Sequence, residues 1–173
     1  MFEIEIKYRI KSKKSWLLLQ EEIEAEYSCD IKDIKDIKMI DYYYRKNGDM
    51  SERIRHDITN NIYYHTIKKG TSFNTDGFKT REETEKRVYL SPTKEELSES
   101  YLQIEKNRKE YDLKNKKIAF DFIEGLGYFI EVEYLLESPD DYESDSFLTN
   151  KIEKYGKQEK KSYRILAEET FLE

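Results

Sequence analysis

The chain has 173 residues, a length that allows one domain with a sizeable hydrophobic core. Its net charge of −6 argues against a general nucleic-acid-binding protein, since such proteins carry a strong basic excess. The aromatic content of 14% argues against disorder, and the single Cys29 excludes an intramolecular disulfide framework and a cysteine-based zinc site.

The N-terminal half is predicted to consist mainly of strands. A helix capped by Ser12 or Ser15 runs to about Glu26. The repeat at residues 31–38 (IKDIKDIK) is too short to indicate a repeat protein. Turns are predicted at residues 47–49 and 59–61 and a polar loop at 70–76. Between these features, strands are predicted over residues 2–9, 39–46, 51–56, 62–68 and 77–90.

The C-terminal half begins with a short helix in which Ser91 is the N-cap and Pro92 the first helical residue. Strands are predicted at 101–112, 116–123 and 128–136, followed by a mainly helical segment whose last helix covers 159–171. No hydrophobic run reaches the ~18 residues of a membrane span, and no secretory leader is evident, so we expect a cytoplasmic protein. The pattern indicates about eight mostly antiparallel strands with a few helices, either an α+β arrangement or a barrel with flanking helices.

Charged side chains recur at every second position of these strands. Side chains alternate between the faces of a strand, so each such row lies on one face and aliphatic or aromatic residues on the other. For one strand, the simplest interpretation is a solvated face. The rows are Glu3, Glu5 and Lys7; Arg53 and Arg55; Lys79, Arg81, Glu83 and Glu85; Lys106 and Arg108; and Glu131 and Glu133.

The whole set of rows favours a polar interior instead. Acidic pairs and basic pairs are segregated, and helices can cover the apolar faces, so the charged faces must then converge on one another. Unpaired buried charge is very costly, so such a lumen requires a ligand that brings both signs of charge. A polyphosphate with Mg²⁺ or Mn²⁺ meets this need, since Arg and Lys bind phosphate and carboxylates bind hard cations.

The same residues resemble the motifs of the CYTH superfamily, the triphosphate tunnel metalloenzymes. The similarity spans nearly the whole chain in order: Glu-x-Glu-x-Lys at 3–7, Asp-x-Tyr at 41–43, Arg-x-Arg at 53–55, a strand-ending Lys68, Arg-Glu-x-x-Glu at 81–85, Lys-x-Arg at 106–108, the block 119–133 and Ser-Tyr at 162–163. The resemblance implies one CYTH domain over residues 1–173, with an eight-stranded antiparallel barrel, a charged bore and flanking helices. Met39 departs from the pattern, which often has Gln there.

The resemblance also implies roles for individual residues. The predicted metal ligands are Glu3, Glu5, Asp121, Glu131 and Glu133, with Asp121 alternatively orienting a basic neighbour. The residues predicted to bind the triphosphate are Lys7, Arg53, Arg55, Lys68, Arg81, Lys106 and Arg108. Of all these, Glu5, Lys7, Glu131 and Glu133 are predicted to be catalytic.

Several nearby residues have no assigned role or are expected to be structural. Glu83 and Glu85 either bind a second metal or balance Arg81, and the reach of Lys157, Lys160 and Lys161 is left open. His56 and His65 are expected to be structural or exposed, and Tyr42 to Tyr44 to pack in the sheet.

The resemblance predicts a small-molecule triphosphate substrate, with no nucleic-acid or membrane partner, and allows a homodimer. The block at residues 125–133 looks most like class IV adenylyl cyclases, which convert ATP to cyclic AMP and pyrophosphate. Hydrolysis of inorganic, thiamine or nucleoside triphosphate is the alternative, and a non-catalytic polyphosphate or nucleotide sensor is a third.

Overall fold

Nine antiparallel strands and four α-helices are present in a computed structural model that describes residues 2–44, 50–73 and 79–172. The helices are α1 (Lys13–Glu26), α2 (Lys94–Ser98), α3 (Ser146–Glu153) and α4 (Tyr163–Phe171). The strands are β1 (Phe2–Ile10), β2 (Ile31–Tyr43), β3 (Ser51–Asp57), β4 (Ile62–Phe73), β5 (Lys79–Val88), β6 (Leu102–Leu113), β7 (Lys117–Ile123), β8 (Gly127–Leu136) and β9 (Gly156–Gln158).

The strands form one curled sheet in the order β5-β4-β3-β2-β6-β7-β8-β1-β9. The sheet curls far enough for β5 to pair with β1, and among the described residues this seam has three residue pairs, from Glu3–Arg81 to Glu5–Lys79. Strand β9 pairs with β1 further along, at Tyr8 to Ile10. The prediction of an α+β fold with an antiparallel sheet is therefore confirmed. The predicted eight-stranded barrel is wrong, because the described strands form an open sheet of nine strands.

Helices α1 and α3 cover the apolar face of the sheet. Ile4, Ile6 and Tyr8 of β1 are buried in one core with Leu19 of α1 and Leu148 of α3. Burial of each such side chain stabilises the fold by roughly 1.5–3 kcal/mol. The opposite face of β1, with its charged row, therefore points away from these helices into the curve of the sheet.

Helix α4 packs on the inner side of the same sheet. Tyr163, Leu166 and Ala167 of α4 are buried with Leu102 of β6 and Phe129 of β8. The hydroxyl of Ser162, the N-cap residue, accepts a hydrogen bond from the backbone N–H of Ile165. This second core lies beside the charged rows, so α4 bounds the interior at one end.

Four element boundaries differ from the predictions. Strand β2 begins at Ile31, so the IKDIKDIK repeat is strand, paired with β6. Strand β4 runs to Phe73, into the predicted loop. Helix α2 is capped by Thr93, whose side chain and that of Glu96 form a capping box, not by Ser91. The predicted final helix from residue 159 starts at Tyr163, after β9. The predicted turn at 47–49 lies outside the described residues.

The turn between β7 and β8 requires glycine. Gly125 and Gly127 have φ angles of 82° and 111°, a region that residues with a Cβ rarely adopt. The turn aligns Asp121 with Phe129 across the ladder, which places Asp121 and Glu131 on one face.

None of the described helices is long and apolar enough to cross a membrane.

Candidate active site

The curled sheet and α4 enclose a cavity of about 470 Å³. Of its 21 lining residues, eight are Lys or Arg and seven are Glu. The cations are Lys7, Arg53, Arg55, Lys68, Lys106, Arg108, Lys117 and Arg164; the carboxylates are Glu3, Glu5, Glu83, Glu85, Glu110, Glu131 and Glu133. The charged rows that are distant in sequence therefore converge on one interior surface.

Nearly all of the residues predicted to form the site line this cavity. One exception is Asp121, which is fully buried beneath the lining side chains. The other is Arg81, whose side chain lies outside the described part of the chain. The side chain of Lys79 also lies outside it. The lining includes Glu83 and Glu85, for which two roles were left open.

Asp121 holds two of the cations in position. Its Oδ1 accepts a hydrogen bond from Arg108 Nε and its Oδ2 one from Arg108 Nη2, both at 2.7 Å. Lys106 Nζ lies 3.7 Å from Oδ2, to which the Tyr163 hydroxyl also donates a hydrogen bond. Burial alone would raise the pKa of Asp121, but Arg108 and Lys106 outweigh it and keep this carboxyl ionised. With its oxygens so occupied, Asp121 fits the orienting role better than the metal-binding one.

Asp41 plays the same part for the cations of β3. Its carboxylate accepts hydrogen bonds from Arg55 Nε and Nη2 at 2.7 and 2.9 Å, and from Arg53 Nη1 at 3.4 Å. Burial would raise the pKa of Asp41, but the charges of Arg55 and Arg53 hold it well below its usual range. Two buried aspartates on the inner face of the sheet thus anchor four of the cavity's cations.

Glu131 lies between two further cations. Arg108 Nη2 donates to Glu131 Oε2 at 2.6 Å, and Lys7 Nζ lies 3.4 Å from Oε1. Lys7 faces Glu131 directly in the β1–β8 ladder. Burial would raise the pKa of Glu131, but Lys7 and Arg108 hold it below its usual range. Glu131 is therefore a carboxylate with its counter-charges already in place.

Compensation is weaker for Glu3 and Glu133, whose pKa values are raised. Glu5 and Glu133 face each other across the β1–β8 ladder, an arrangement that is unfavourable for like charges. Burial raises the pKa of Glu133 despite the nearby Lys117, and the like charge of Glu5 adds to the rise. We call Glu3, Glu5, Glu83 and Glu133 the acidic cluster.

The opposite pKa shifts of Glu3 and Glu83 favour one proton shared between them, at the seam between β1 and β5. Burial and a hydrogen bond with Glu83 raise the pKa of Glu3, while Glu83 remains ionised. Lys68 Nζ contacts both, at 3.1 Å from Glu3 Oε1 and 2.7 Å from Glu83 Oε2. One ammonium does not neutralise two buried carboxylates, so the proton supplies the missing positive charge.

Burial makes the charge of Lys106 costly. Its side chain is 2% exposed. Burial and the neighbouring Arg108 lower the pKa of Lys106 to about 7, against the attraction of Asp121. At neutral pH this amine is therefore divided between its two protonation states, and an arriving anion would favour the charged one.

The acidic cluster fits a divalent cation by its chemistry. Mg²⁺ and Mn²⁺ prefer oxygen ligands, and Glu5 and Glu133 offer them from adjacent strands. The raised pKa values of Glu3 and Glu133 reflect a shortage of positive charge there. Within the described residues, no three His, Cys, Asp or Glu side chains are already grouped closely enough to hold a metal ion.

Several lining residues were missed by the sequence analysis. Lys117 faces Glu133 across the β7–β8 ladder. It lies on the same strand face as Asp121, so the alternation along β7 could have predicted that Lys117 lines the cavity. Glu110 extends the face of Lys106 and Arg108 in the same way, and lies 3.8 Å from Arg108. Arg164 belongs to a helix, and no strand pattern marks it.

The histidines and the C-terminal lysines lie away from the cavity lining. His56 stacks on Tyr63 with ring centroids 4.1 Å apart, and His65 contacts Glu52. Lys161 Nζ binds Glu169, while its backbone carbonyl accepts a hydrogen bond from Lys7 Nζ. Of the tyrosines at 42–44, only Tyr43 lines the cavity.

Solved structures with the same fold come from several organisms. The PH1012 protein of Pyrococcus horikoshii OT3 aligns with a TM-score of 0.72 at 19% identity, over 95% of this chain and 98% of that chain. The PH1819 protein of the same organism aligns at 0.68 and 25% identity, over 96% and 98%. HpAC1 of Hippeastrum, a putative adenylyl cyclase with a dominant triphosphatase activity, aligns at 0.66 and 17% identity, over 96% and 95%.

The comparison of sequences gives the family. No curated protein matches the chain. The family model for the CYTH domain matches residues 1–164, which include every residue of the cavity lining but Ile165. The family resemblance drawn from the motifs is thereby confirmed: the chain belongs to the CYTH family.

Proposed function

We propose that this protein is a divalent-metal-dependent enzyme that acts on a triphosphate bound in the charged cavity, with hydrolysis or cyclisation as the reaction. The observation that carries the proposal is the composition of the lining, in which eight cations face seven carboxylates. A chain of phosphates with a bound metal presents both signs of charge along its length, which complements such walls. The curled sheet then serves as the triphosphate tunnel that the family resemblance predicts.

The cations provide the grip on the phosphates. Arg53, Arg55 and Arg108 offer planar donor groups held by buried aspartates, so little reorganisation is needed when a phosphate arrives. Lys7, Lys68 and Lys106 supply further charges along the same surface. Arg81 completes the predicted set. Phosphoryl transfer depends mostly on such positioning and charge neutralisation.

Glu3, Glu5 and Glu133 would hold the metal, with Glu131 as a further ligand. A bound Mg²⁺ or Mn²⁺ would act as a Lewis acid that neutralises charge on the phosphate oxygens and lowers the pKa of an attacking water. To act as a ligand, Glu3 would have to give up the proton that it shares with Glu83. For Glu131 to bind the metal, Lys7 or Arg108 must leave this carboxylate, and each then becomes available to phosphate.

Cyclisation of ATP is the second candidate reaction. It is favoured by the block at residues 125–133, which looks most like class IV adenylyl cyclases. The two reactions break different phosphoanhydride bonds and differ in the attacking group, a water or the ribose 3′-hydroxyl. The same cations and metal ligands serve both.

One product analysis distinguishes the candidates. The protein is incubated with Mg²⁺ or Mn²⁺ and with tripolyphosphate, thiamine triphosphate or ATP, and the products are separated. Orthophosphate release supports the hydrolase, and cyclic AMP with pyrophosphate supports the cyclase. Binding without turnover of any substrate contradicts both and indicates a sensor.

The assignment of the metal ligands is tested by Glu133→Gln, which removes one negative charge with little change of shape. We expect loss of turnover at saturating metal, because the cation loses an ionised ligand. Glu105→Gln is the matched control, since Glu105 lies on the outer face of β6 and pairs with Lys38 at 2.7 Å. Full activity of the Glu133 variant would contradict the assignment.

A further inference from the structure

Tyr163 lies where two cations and their aspartate anchor meet. Lys7 Nζ is 4.1 Å from the centroid of its ring, and Lys106 Nζ is 5.0 Å from it. Its hydroxyl donates a hydrogen bond of 2.8 Å to Asp121 Oδ2. The side chain comes from the first residue of α4 and is 7% exposed. One aromatic side chain thus contacts three members of the charged network, on β1, β6 and β7.

The ring and the hydroxyl act on different partners. The negative face of an aromatic ring attracts ammonium groups, most strongly where water is excluded, as it is around these two lysines. The hydroxyl shares Asp121 with Arg108, so it limits the positions that this carboxylate can take. The packing of Phe129 edge-on against the ring, with centroids 5.1 Å apart, fixes the plane in which the ring lies.

We propose that Tyr163 is the positioning residue that sets the spacing of the phosphate-binding ammonium groups of Lys7 and Lys106. The inference rests on the proposed function, since it concerns how the same cavity holds a triphosphate. Without the ring, the two ammonium groups lose the surface that they share and keep only separate contacts: Lys7 with Glu131 and the Lys161 carbonyl, and Lys106 with Asp121. Helix α4 therefore contributes to substrate binding through the side chains that it orders, in addition to closing one end of the cavity.

Two variants separate the ring from the hydroxyl. Tyr163→Phe keeps the ring and removes the hydrogen bond to Asp121, whereas Tyr163→Leu removes both. The matched control is Tyr101→Phe, because the Tyr101 hydroxyl donates to Glu168 on the same helix, outside the cavity lining. All three lose one hydroxyl hydrogen bond that joins α4 to the rest of the fold, so a purely structural effect should appear in each.

The readouts are the dissociation constant of tripolyphosphate, measured by calorimetry without metal, and the thermal unfolding midpoint. We expect Tyr163→Leu to weaken binding about tenfold or more and Tyr163→Phe about threefold or less, with no change for Tyr101→Phe. In the turnover assay, Tyr163→Leu should raise KM more than it lowers kcat. Tyr163→Phe should bind tripolyphosphate more tightly than Tyr163→Leu because it keeps the aromatic ring.

Three outcomes would overturn the inference. The first is an unchanged dissociation constant for a folded Tyr163→Leu. The second is an equal loss of affinity in Tyr163→Phe and Tyr163→Leu. The third is a loss of affinity in Tyr101→Phe that matches the fall in its unfolding midpoint. Failure of the unchanged protein to bind tripolyphosphate would instead refute the proposed function. If Tyr163→Leu does not fold, Tyr163→Met takes its place, and its dissociation constant is compared with that of Tyr163→Phe.

Discussion

Replacing Lys106 by Met tests whether a buried amine in the cavity changes its charge near neutral pH. Met has a similar length and no charge, so the variant removes the titration and keeps most of the volume. Burial and Arg108 lower the pKa of Lys106 to about 7 from an ordinary value near 10.5. Between these values the unfolded chain binds more protons than the folded protein, so this group makes stability rise with pH.

The magnitude follows from the two pKa values. Linkage between proton binding and folding gives a gain of about 2 kcal/mol from pH 7 to pH 9 for one group with these values. Glu3 acts in the opposite direction: its folded-state pKa is raised, so stability is lost as the pH rises above the ordinary carboxyl range. That contribution is present in both proteins and cancels in their difference.

The measurement is the free energy of unfolding in urea for both proteins at several pH values between 7 and 9. The stability of the unchanged protein minus that of the variant should increase by about 2 kcal/mol over this range. A difference that stays constant within about 0.5 kcal/mol would refute the reasoning, because it would mean that Lys106 keeps its charge in the folded protein.

Three further predictions concern other parts of the molecule. Asp121→Asn should cost about 3–5 kcal/mol in urea unfolding, because Arg108 and Lys106 lose their buried counter-charge; a loss below about 1 kcal/mol would contradict the anchoring role. Gly156→Ala should lower the unfolding midpoint, since a Cβ there would lie 2.5 Å from the Arg9 carbonyl oxygen; an unchanged midpoint would show that β9 adjusts. Binding of Mg²⁺ or Mn²⁺ at pH 7 should release protons from the acidic cluster, as calorimetry in buffers of different ionisation enthalpy would reveal; no buffer dependence would exclude the shared proton.

The regular alternation of charge made much of this fold and cavity predictable. Glu3, Glu5 and Lys7 share one face of a strand by geometry alone, and Ile4 and Ile6 must be buried on the other. The cavity is the sum of several such rows. The strand at residues 31–38 was missed because Lys and Asp there interrupt the apolar pattern, and its pairing with β6 outweighs the weak local preference.

Contacts between segments that are distant in the chain could not be predicted from the sequence. Nothing local indicates that the acid at position 121 is fully buried or that its partner hydroxyl comes from Tyr163, since those positions meet only when α4 packs on the sheet. The short β9 has three residues, too few for a periodic pattern. The shared proton between Glu3 and Glu83 likewise depends on the seam between β1 and β5.

The pairing of β1 has a consequence for the order in which the protein can assemble. Every strand that β1 pairs with lies far along the chain, the nearest contact being Glu5 with Lys79, 74 residues later, and the farthest Tyr8 with Gln158. Pairings at such separations form slowly, because the intervening chain must be ordered first. During synthesis β1 emerges before all of these strands, and its long pairing with β8 must await residues 127–136, so the row of Glu3, Glu5 and Lys7 meets Glu131 and Glu133 only then. The ability to bind a triphosphate would then report that β8 has paired with β1.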